Sequence, residues 1–206
     1  MSQYFQIHRR DPQPRLIKRT AEIIRENGVI VYPTDSSYAF GCAIDNKNGL
    51  ESIRRIRRLD DNHNFTIICA DISQVSNFAK MDNETFRILK SLTPGAFTFI
   101  LPATRETPKR LQNAKRKSIG IRLPADPITQ AIVTELQEPL FSSTLIFPGD
   151  EDAMSDPEDI RDRLEREVDL IIDADVIPYE PTTIIDFTGD RPEVLRQGKA
   201  IAHSLE

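Results

Sequence analysis

Val29-Ile30-Val31-Tyr32-Pro33-Thr34-Asp35-Ser36-Ser37-Tyr38-Ala39-Phe40-Gly41-Cys42 decides how this chain is read. Its first four residues are a short apolar run of β-branched and aromatic types, which predicts a buried strand. Pro33 to Ser37 then carries turn chemistry, and Tyr38–Ile44 predicts a second strand. Polar groups just beyond a strand end are where open α/β sheets bind ligands. The same residues are equally those of an ordinary Pro-Thr-Asp turn.

Working outward, helical and strand patterns alternate. Leu16, Ile17, Ala21 and Ile24 keep helical spacing up to Asn27-Gly28, a helix stop. Leu50, Ile53, Ile56 and Leu59 form an apolar stripe on a helix whose other faces carry Arg54, Arg55, Arg57 and Arg58. A strand over Phe65–Ala70, two helices between Ile72 and Leu92, and strands over Ala96–Leu101 and Ser118–Leu123 come next. Asp126-Pro127 opens a helix through Leu136, with Asp as N-cap and Pro at the first helical position. Leu140–Phe147 is strand-like, and Ser155-Asp156-Pro157-Glu158 starts an acidic helix. Strands near Val168–Ile172, Thr183–Phe187 and Glu193–Arg196 follow. The pattern predicts an α/β fold with one twisted mixed sheet, a single domain over residues 1–206 with its core at about 14–200.

The 206 residues are 39% hydrophobic and 29% charged, as expected of a globular chain rather than a disordered one. No run approaches the roughly 18–20 apolar residues of a membrane helix, and the N-terminus lacks a signal-peptide core. Cys42 and Cys69 lie far apart, so neither a disulfide framework nor a structural zinc site is expected. These features predict a cytoplasmic protein with no membrane partner. The net charge of −5 hides an asymmetry. Residues 150–175 hold twelve acids against three bases, a local −9, while the remaining 24 bases and 20 acids leave +4 elsewhere. The arginines of 54–58 and the basic segment Arg105, Lys109, Arg110, Lys115, Arg116 and Lys117 are either solvated faces or an anion-attracting side. No Walker A loop, G-x-G-x-x-G, G-x-S-x-G or H-E-x-x-H is present.

Tyr32 to Cys42 resembles the Y-P-T-[DE]-[TS]-x-Y-G-L-G-C signature of the YrdC-like threonylcarbamoyl-AMP synthase family. The likeness continues in order. Pro94-Gly95-Ala96-Phe97-Thr98 is similar to P-G-P-x-T, and Ile119-Gly120-Ile121-Arg122-Leu123-Pro124 to V-x-[VL]-R-x-P. Asp126-Pro127 takes the place of H-P, and Pro139-Leu140 matches P-L. Thr182-Thr183-Ile184-Ile185-Asp186 resembles S-T-[VI]-[VI]-D, and Leu195-Arg196-Gln197-Gly198 the closing L-R-x-G. Within the family the chain looks closest to the YciO-type branch.

The resemblance implies an open, positively charged concave surface associated with double-stranded RNA and nucleotides. Full synthases of the family join L-threonine, bicarbonate and ATP into threonylcarbamoyl-AMP for tRNA modification, with Mg²⁺ arriving on the ATP phosphates. It places Thr34 against the amino-acid substrate and maps the family's K-x-R phosphate motif onto Arg55-Ile56-Arg57, with arginine for lysine. A second family lysine falls near His63. Thr98, Arg122 and Arg196 keep the family residue type. The family's S-x-N falls on Thr144-Leu145-Ile146, so isoleucine replaces asparagine; Ser143 supplies the hydroxyl if the register differs by one. RNA contact is expected at Lys109, Arg110, Lys115, Arg116 and Lys117. Arg-for-Lys is not conservative at a tight phosphate site, and isoleucine cannot hydrogen-bond. The expectation is therefore a nucleotide- and double-stranded-RNA-binding relative, taking ATP or AMP, with reduced synthase activity. The alternative is a fully active synthase, and a phosphatase-like or sugar-phosphate lyase activity is a distant third.

Overall fold

In a computed structural model, which describes residues 1–60, 63, 65–113 and 115–202, the alternating pattern becomes a ten-stranded mixed sheet. The strands are β1 (Gln3–Gln6), β2 (Ile30–Pro33), β3 (Tyr38–Ala43), β4 (Thr66–Ile68), β5 (Phe97–Pro102), β6 (Ser118–Arg122), β7 (Leu140–Thr144), β8 (Leu170–Asp173), β9 (Thr183–Asp186) and β10 (Glu193–Arg196). Their order is β1-β8-β2-β3-β7-β4-β6-β5-β9-β10. β1/β8, β2/β8, β4/β6 and β5/β9 run parallel, and the other neighbours antiparallel.

Nine of these strands follow the expected runs. β1 does not, because its Gln-Tyr-Phe-Gln sequence has no apolar alternation. It is held by parallel pairing to β8 at the sheet's edge and by the Tyr4 hydroxyl donating to Asp173 Oδ2 at 3.0 Å, and it lies ahead of the 14–200 core. The strand expected over Leu140–Phe147 ends at Thr144, where the Ile146 amide folds back onto the Thr144 carbonyl at 2.9 Å.

Six α-helices cover the sheet: α1 (Pro14–Arg25), α2 (Lys47–Arg57), α3 (Ile72–Phe78), α4 (Asn83–Leu92), α5 (Pro127–Leu136) and α6 (Pro157–Leu164). Their starts follow local chemistry. Asn46, Asp71, Asp82, Asp126 and Asp156 each accept a first-turn amide at the N-cap.

The period of two in a strand sorts side chains onto two faces. One face holds Val31, Phe40, Ile67, Phe99, Ile121 and Phe141, packed under α2, α3, α4 and α6. On the other, Ile30, Tyr32, Ile68, Leu140, Leu170 and Ile172 pack against α1 and α5. That second face turns polar along its own strands. β7 passes from Leu140 to Ser142, and β4 from Ile68 back to Thr66. Thr66 pairs with both Ser142 and Gly120.

Gly120 sits in the middle of this polar stretch for a steric reason. A Cβ there would come within 2.7 Å of Thr66 Oγ1 and 2.9 Å of the Phe65 carbonyl. Neither neighbour is the far end of a flexible chain. Gly120→Ala is expected to lower stability by about 1–3 kcal/mol, the usual scale of overpacking. A fall in the urea midpoint with unchanged slope would show it; an unchanged midpoint would mean that the strands separate freely here.

Candidate functional site

The turn after β2 consumes its own polar groups before any ligand arrives. Thr34, fully buried, donates from Oγ1 to the Ser37 carbonyl at 2.8 Å and accepts the Ser36 and Ser37 amides at 3.2 Å. Its hydroxyl is a turn-former, and Thr34 does not line the cavity described below. Asp35 reaches away from the turn. Its Oδ1 accepts from Arg122 Nη2 at 2.6 Å and its Oδ2 from the Ala125 amide at 3.0 Å. The pair is nearly dry, with side-chain exposures of 7% for Arg122 and 12% for Asp35. Arg122 Nη2 also donates to Ser36 Oγ at 3.1 Å, while its buried Nε has no hydrogen-bond partner.

Beside this pair lies a cavity of about 240 Å³. Its floor is the polar face of the sheet, with Thr66, Ser142, Thr98 and Arg122. Arg57 and His63 enter from the end of α2 and the segment that follows it, and Arg196 from β10. Ser143, Thr144 and Ile146 come from the end of β7, and Tyr179 and Thr182 from the segment before β9.

Arg57 is held by two acceptors. Its Nε donates to the Ile146 carbonyl at 3.1 Å and its Nη1 to Ser143 Oγ at 2.5 Å. Burial pulls this guanidinium down to about 10, so it stays charged at neutral pH. Arg196 donates from Nε and Nη2 to the Thr182 carbonyl at 3.1 and 2.9 Å, and Thr182 Oγ1 lies 2.8 Å from Thr98 Oγ1. His63, half-buried, is pushed down from the ordinary imidazole value, first by burial and then by the charge of Arg57.

Ser36 Oγ accepts from Arg122 and gives its own O–H to Thr34 Oγ1 at 3.2 Å. Two further hydroxyls are oriented by what they accept: Ser142 Oγ accepts from the Tyr32 hydroxyl at 2.7 Å and Ser143 Oγ from Arg57. An oxygen that already accepts leaves its own O–H to donate elsewhere. Three arginines and these donating hydroxyls line the cavity, and no carboxylate lines it among the described residues. Such a lining suits a ligand that presents acceptors and negative charge.

Seven of the nine sequence-derived site residues therefore line one cavity: Arg57, His63, Thr98, Arg122, Ser143, Thr144 and Arg196. Thr34 and Arg55 do not. Arg55 is 72% exposed and faces Glu167 at 3.6 Å. Residues two apart on a helix point to nearly opposite sides, so Arg55 and Arg57 cannot serve one phosphate. Ile146 does line the cavity, as the departure from S-x-N implied. Ser36 lay inside the signature without being singled out, and Thr66, Ser142 and Tyr179 carried no motif signal; strand parity would have found Thr66 and Ser142.

The basic segment stands apart from this group. None of Lys109, Arg110, Lys115, Arg116 and Lys117 lines the cavity. They occupy the β5–β6 connection at the Pro102/Ser118 end of that pairing, whereas Thr98 and Arg122 sit at its other end. Arg110 donates to the Ile44 carbonyl at 2.6 Å, and Arg116 is paired with Asp186 at 2.8 Å. Lys109, Lys115 and Lys117 are exposed.

Comparison with known proteins shows the family and the fold. The Sua5/YciO/YrdC family model, described as "Telomere recombination", matches residues 22–198. The chain belongs to this family. It is 54% identical over 198 residues to the uncharacterized protein YciO of Escherichia coli strain K12, covering 96% of each. The crystal structure of E. coli YciO superposes with a TM-score of 0.95 at 51% identity, over the whole of both chains. More distant structures share the fold. P. abyssi Sua5, solved with L-threonine, gives a TM-score of 0.86 at 21% identity over 95% of this chain and 57% of that one. Full-length HypF, solved in a phosphate- and nucleotide-bound form, gives 0.74 at 15% identity over 89% and 29%.

Removing one half of a buried ion pair strands the other charge, which costs roughly 3–5 kcal/mol. Asp35→Ala is expected to destabilise the family fold by that amount. Added inorganic phosphate should recover part of the melting temperature by giving Arg122 a substitute partner. No loss of stability, or a loss that phosphate leaves untouched, would separate Arg122 from anion binding.

Proposed function

We propose that the cavity binds the phosphates of a nucleotide, ATP or AMP, and that the protein is a threonylcarbamoyl-AMP synthase relative with reduced synthase activity. The observation that carries this is the lining itself: Arg57, Arg122 and Arg196 with donating hydroxyls and no carboxylate among the described residues. The Sua5 structure with L-threonine and the HypF structure with phosphate and nucleotide support it by likeness of fold. The cytoplasmic reading goes with it, on the buried free thiols of Cys42 and Cys69; no described helix is long and apolar enough to cross a membrane.

In such a reaction the threonine amine and bicarbonate form a carbamate with loss of water, and a carbamate oxygen attacks the α-phosphorus of ATP as pyrophosphate leaves. No protein nucleophile is needed, so positioning and charge neutralisation carry the catalysis. Arg57 and Arg122 are prepaid for this work by fixed partners, Ser143 and the Ile146 carbonyl for one and Asp35 for the other. Mg²⁺ would enter on the ATP phosphates, because the described lining offers it hydroxyls and no carboxylate. When bound it would neutralise charge on the departing pyrophosphate. Reduced activity follows from Ile146, whose side chain cannot donate to developing charge; loss of one such donor costs ~10²–10³ in rate.

Calorimetry with AMP and ATP should give binding to the wild type. Arg57→Gln should weaken it by tenfold or more, and Arg55→Gln should leave it unchanged. Pyrophosphate release that is threonine- and bicarbonate-dependent should be slow, and Ile146→Asn should raise it about tenfold. Absence of heat at millimolar nucleotide with folded protein would overturn the phosphate-site reading. Fast release by the wild type would instead favour the full synthase.

Double-stranded RNA binding is the second reading, favoured by the exposed Lys109, Lys115 and Lys117. With Arg110 and Arg116 engaged elsewhere, about three phosphates would be neutralised. The logarithm of affinity should then fall with the logarithm of salt at a slope of roughly −3 or shallower, since each B-form duplex phosphate contributes about −0.9. A slope near −6, or strong preference for one single-stranded sequence, would place RNA on another surface.

A further inference from the structure

His63 is the one titratable imidazole among the residues lining the cavity, and its surroundings have a definite sign. From α2, Arg57 and Arg54 act on the ring with positive charge. From the segment after α2, Asp60 acts on it with negative charge, and its carbonyl accepts the His63 amide at 3.3 Å. From β4's leading edge, Phe65 meets the imidazole edge to face at 5.6 Å between centroids, and Arg54 lies 5.7 Å over that same phenyl ring. Across the cavity stand Arg122, Arg196 and the Tyr179 phenol. Burial and the arginines outweigh Asp60, so the ring is held below its ordinary titration range in the empty cavity.

An anion placed beside Arg57 and Arg122 works against the arginine part of that balance. It screens the two guanidinium charges and offers the imidazole an acceptor of its own. Resting on the phosphate-site reading above, we propose that His63 is a proton-linked phosphate contact: neutral in the empty cavity, it takes a proton from solvent when an anionic ligand enters and holds that ligand as an imidazolium. The ligand class is a phosphate monoester or longer phosphate, since a neutral ligand supplies no field to charge the ring. At neutral pH the site then stays short of one positive charge until a phosphate is present, which lowers its electrostatic self-repulsion when empty.

The sign of the pH dependence follows by linkage. Above the bound-state midpoint the ring is neutral with or without ligand, and affinity is insensitive to its protonation. Between the bound and free midpoints, binding takes up a proton, so affinity rises as pH falls. Below the free midpoint the gain is complete. A midpoint raised by one unit on binding corresponds to tenfold tighter binding at the acid end.

The chain has three histidines, His8, His63 and His203, so imidazole proton NMR resolves the question directly. His63→Gln identifies the signal by its disappearance; if that variant does not fold, His8→Gln and His203→Gln identify it by elimination. On wild-type protein, titration between pH 5 and 8 is run without ligand, with saturating AMP and with adenosine. The expected result is a His63 midpoint below the ordinary value when free, raised by about one unit or more with AMP and unmoved by adenosine. His63→Lys, permanently charged, should bind AMP with no pH dependence beyond that of AMP itself. If AMP saturates the protein, seen as calorimetric heat, and the His63 midpoint does not move, the proposal is overturned while the phosphate-site reading stands. If AMP gives neither heat nor shifts, both fall together.

Discussion

The buried pair between Asp35 and Arg122 is the interaction on which the rest of the site depends. One carboxylate joins three parts of the chain: the turn that closes β2 onto β3, the end of β6, and the Ala125 amide at the entry to α5. A charge pair this dry is tolerable only when both groups are well bonded. Asp35 meets that condition with two fixed donors. Arg122 meets it on Nη2 and leaves Nε buried without a partner. The fold therefore holds a guanidinium at the cavity wall whose desolvation is only partly compensated.

Arg57 is held by a different device. Its acceptors are a main-chain carbonyl and a serine hydroxyl, neither of which cancels its charge. Ile146 thus has two roles in one residue. Its carbonyl aims Arg57, and its side chain gives the wall an apolar element where the family pattern has an amide. A substitution at 146 can alter the second role without the first, because the carbonyl belongs to the backbone. The three arginines that line the cavity therefore do not depend on the side chain at 146, which itself cannot donate a hydrogen bond.

Much of the fold was legible because strand and helix signals here are strong and local. Val29–Tyr32 and the caps at Asp126 and Asp156 lie where their chemistry places them, and β1 was missed because Gln3–Gln6 has no pattern of its own to read. The site was legible only through ordered family blocks, and those fix residue types better than directions. Thr34 belongs to the signature, yet its hydroxyl is spent on Ser36 and Ser37. Arg55 has the right charge and points to Glu167.

The sequence by itself determined the α/β alternation, the helix starts, the family and the set of arginines from which the cavity is drawn. These depend on neighbours within a few residues or on blocks that recur in order. Only the tertiary structure decided which arginines share a cavity, that no carboxylate lines it among the described residues, and that the basic 109–117 segment sits at the far end of the β5–β6 pairing. The cavity is assembled from segments up to 160 positions apart, Ser36 and Arg196 among them. Each strand specifies only that its side chains alternate; which of its two faces α1 and α5 cover, and where that cover stops to leave Thr66 and Ser142 open, is set by how the layers pack.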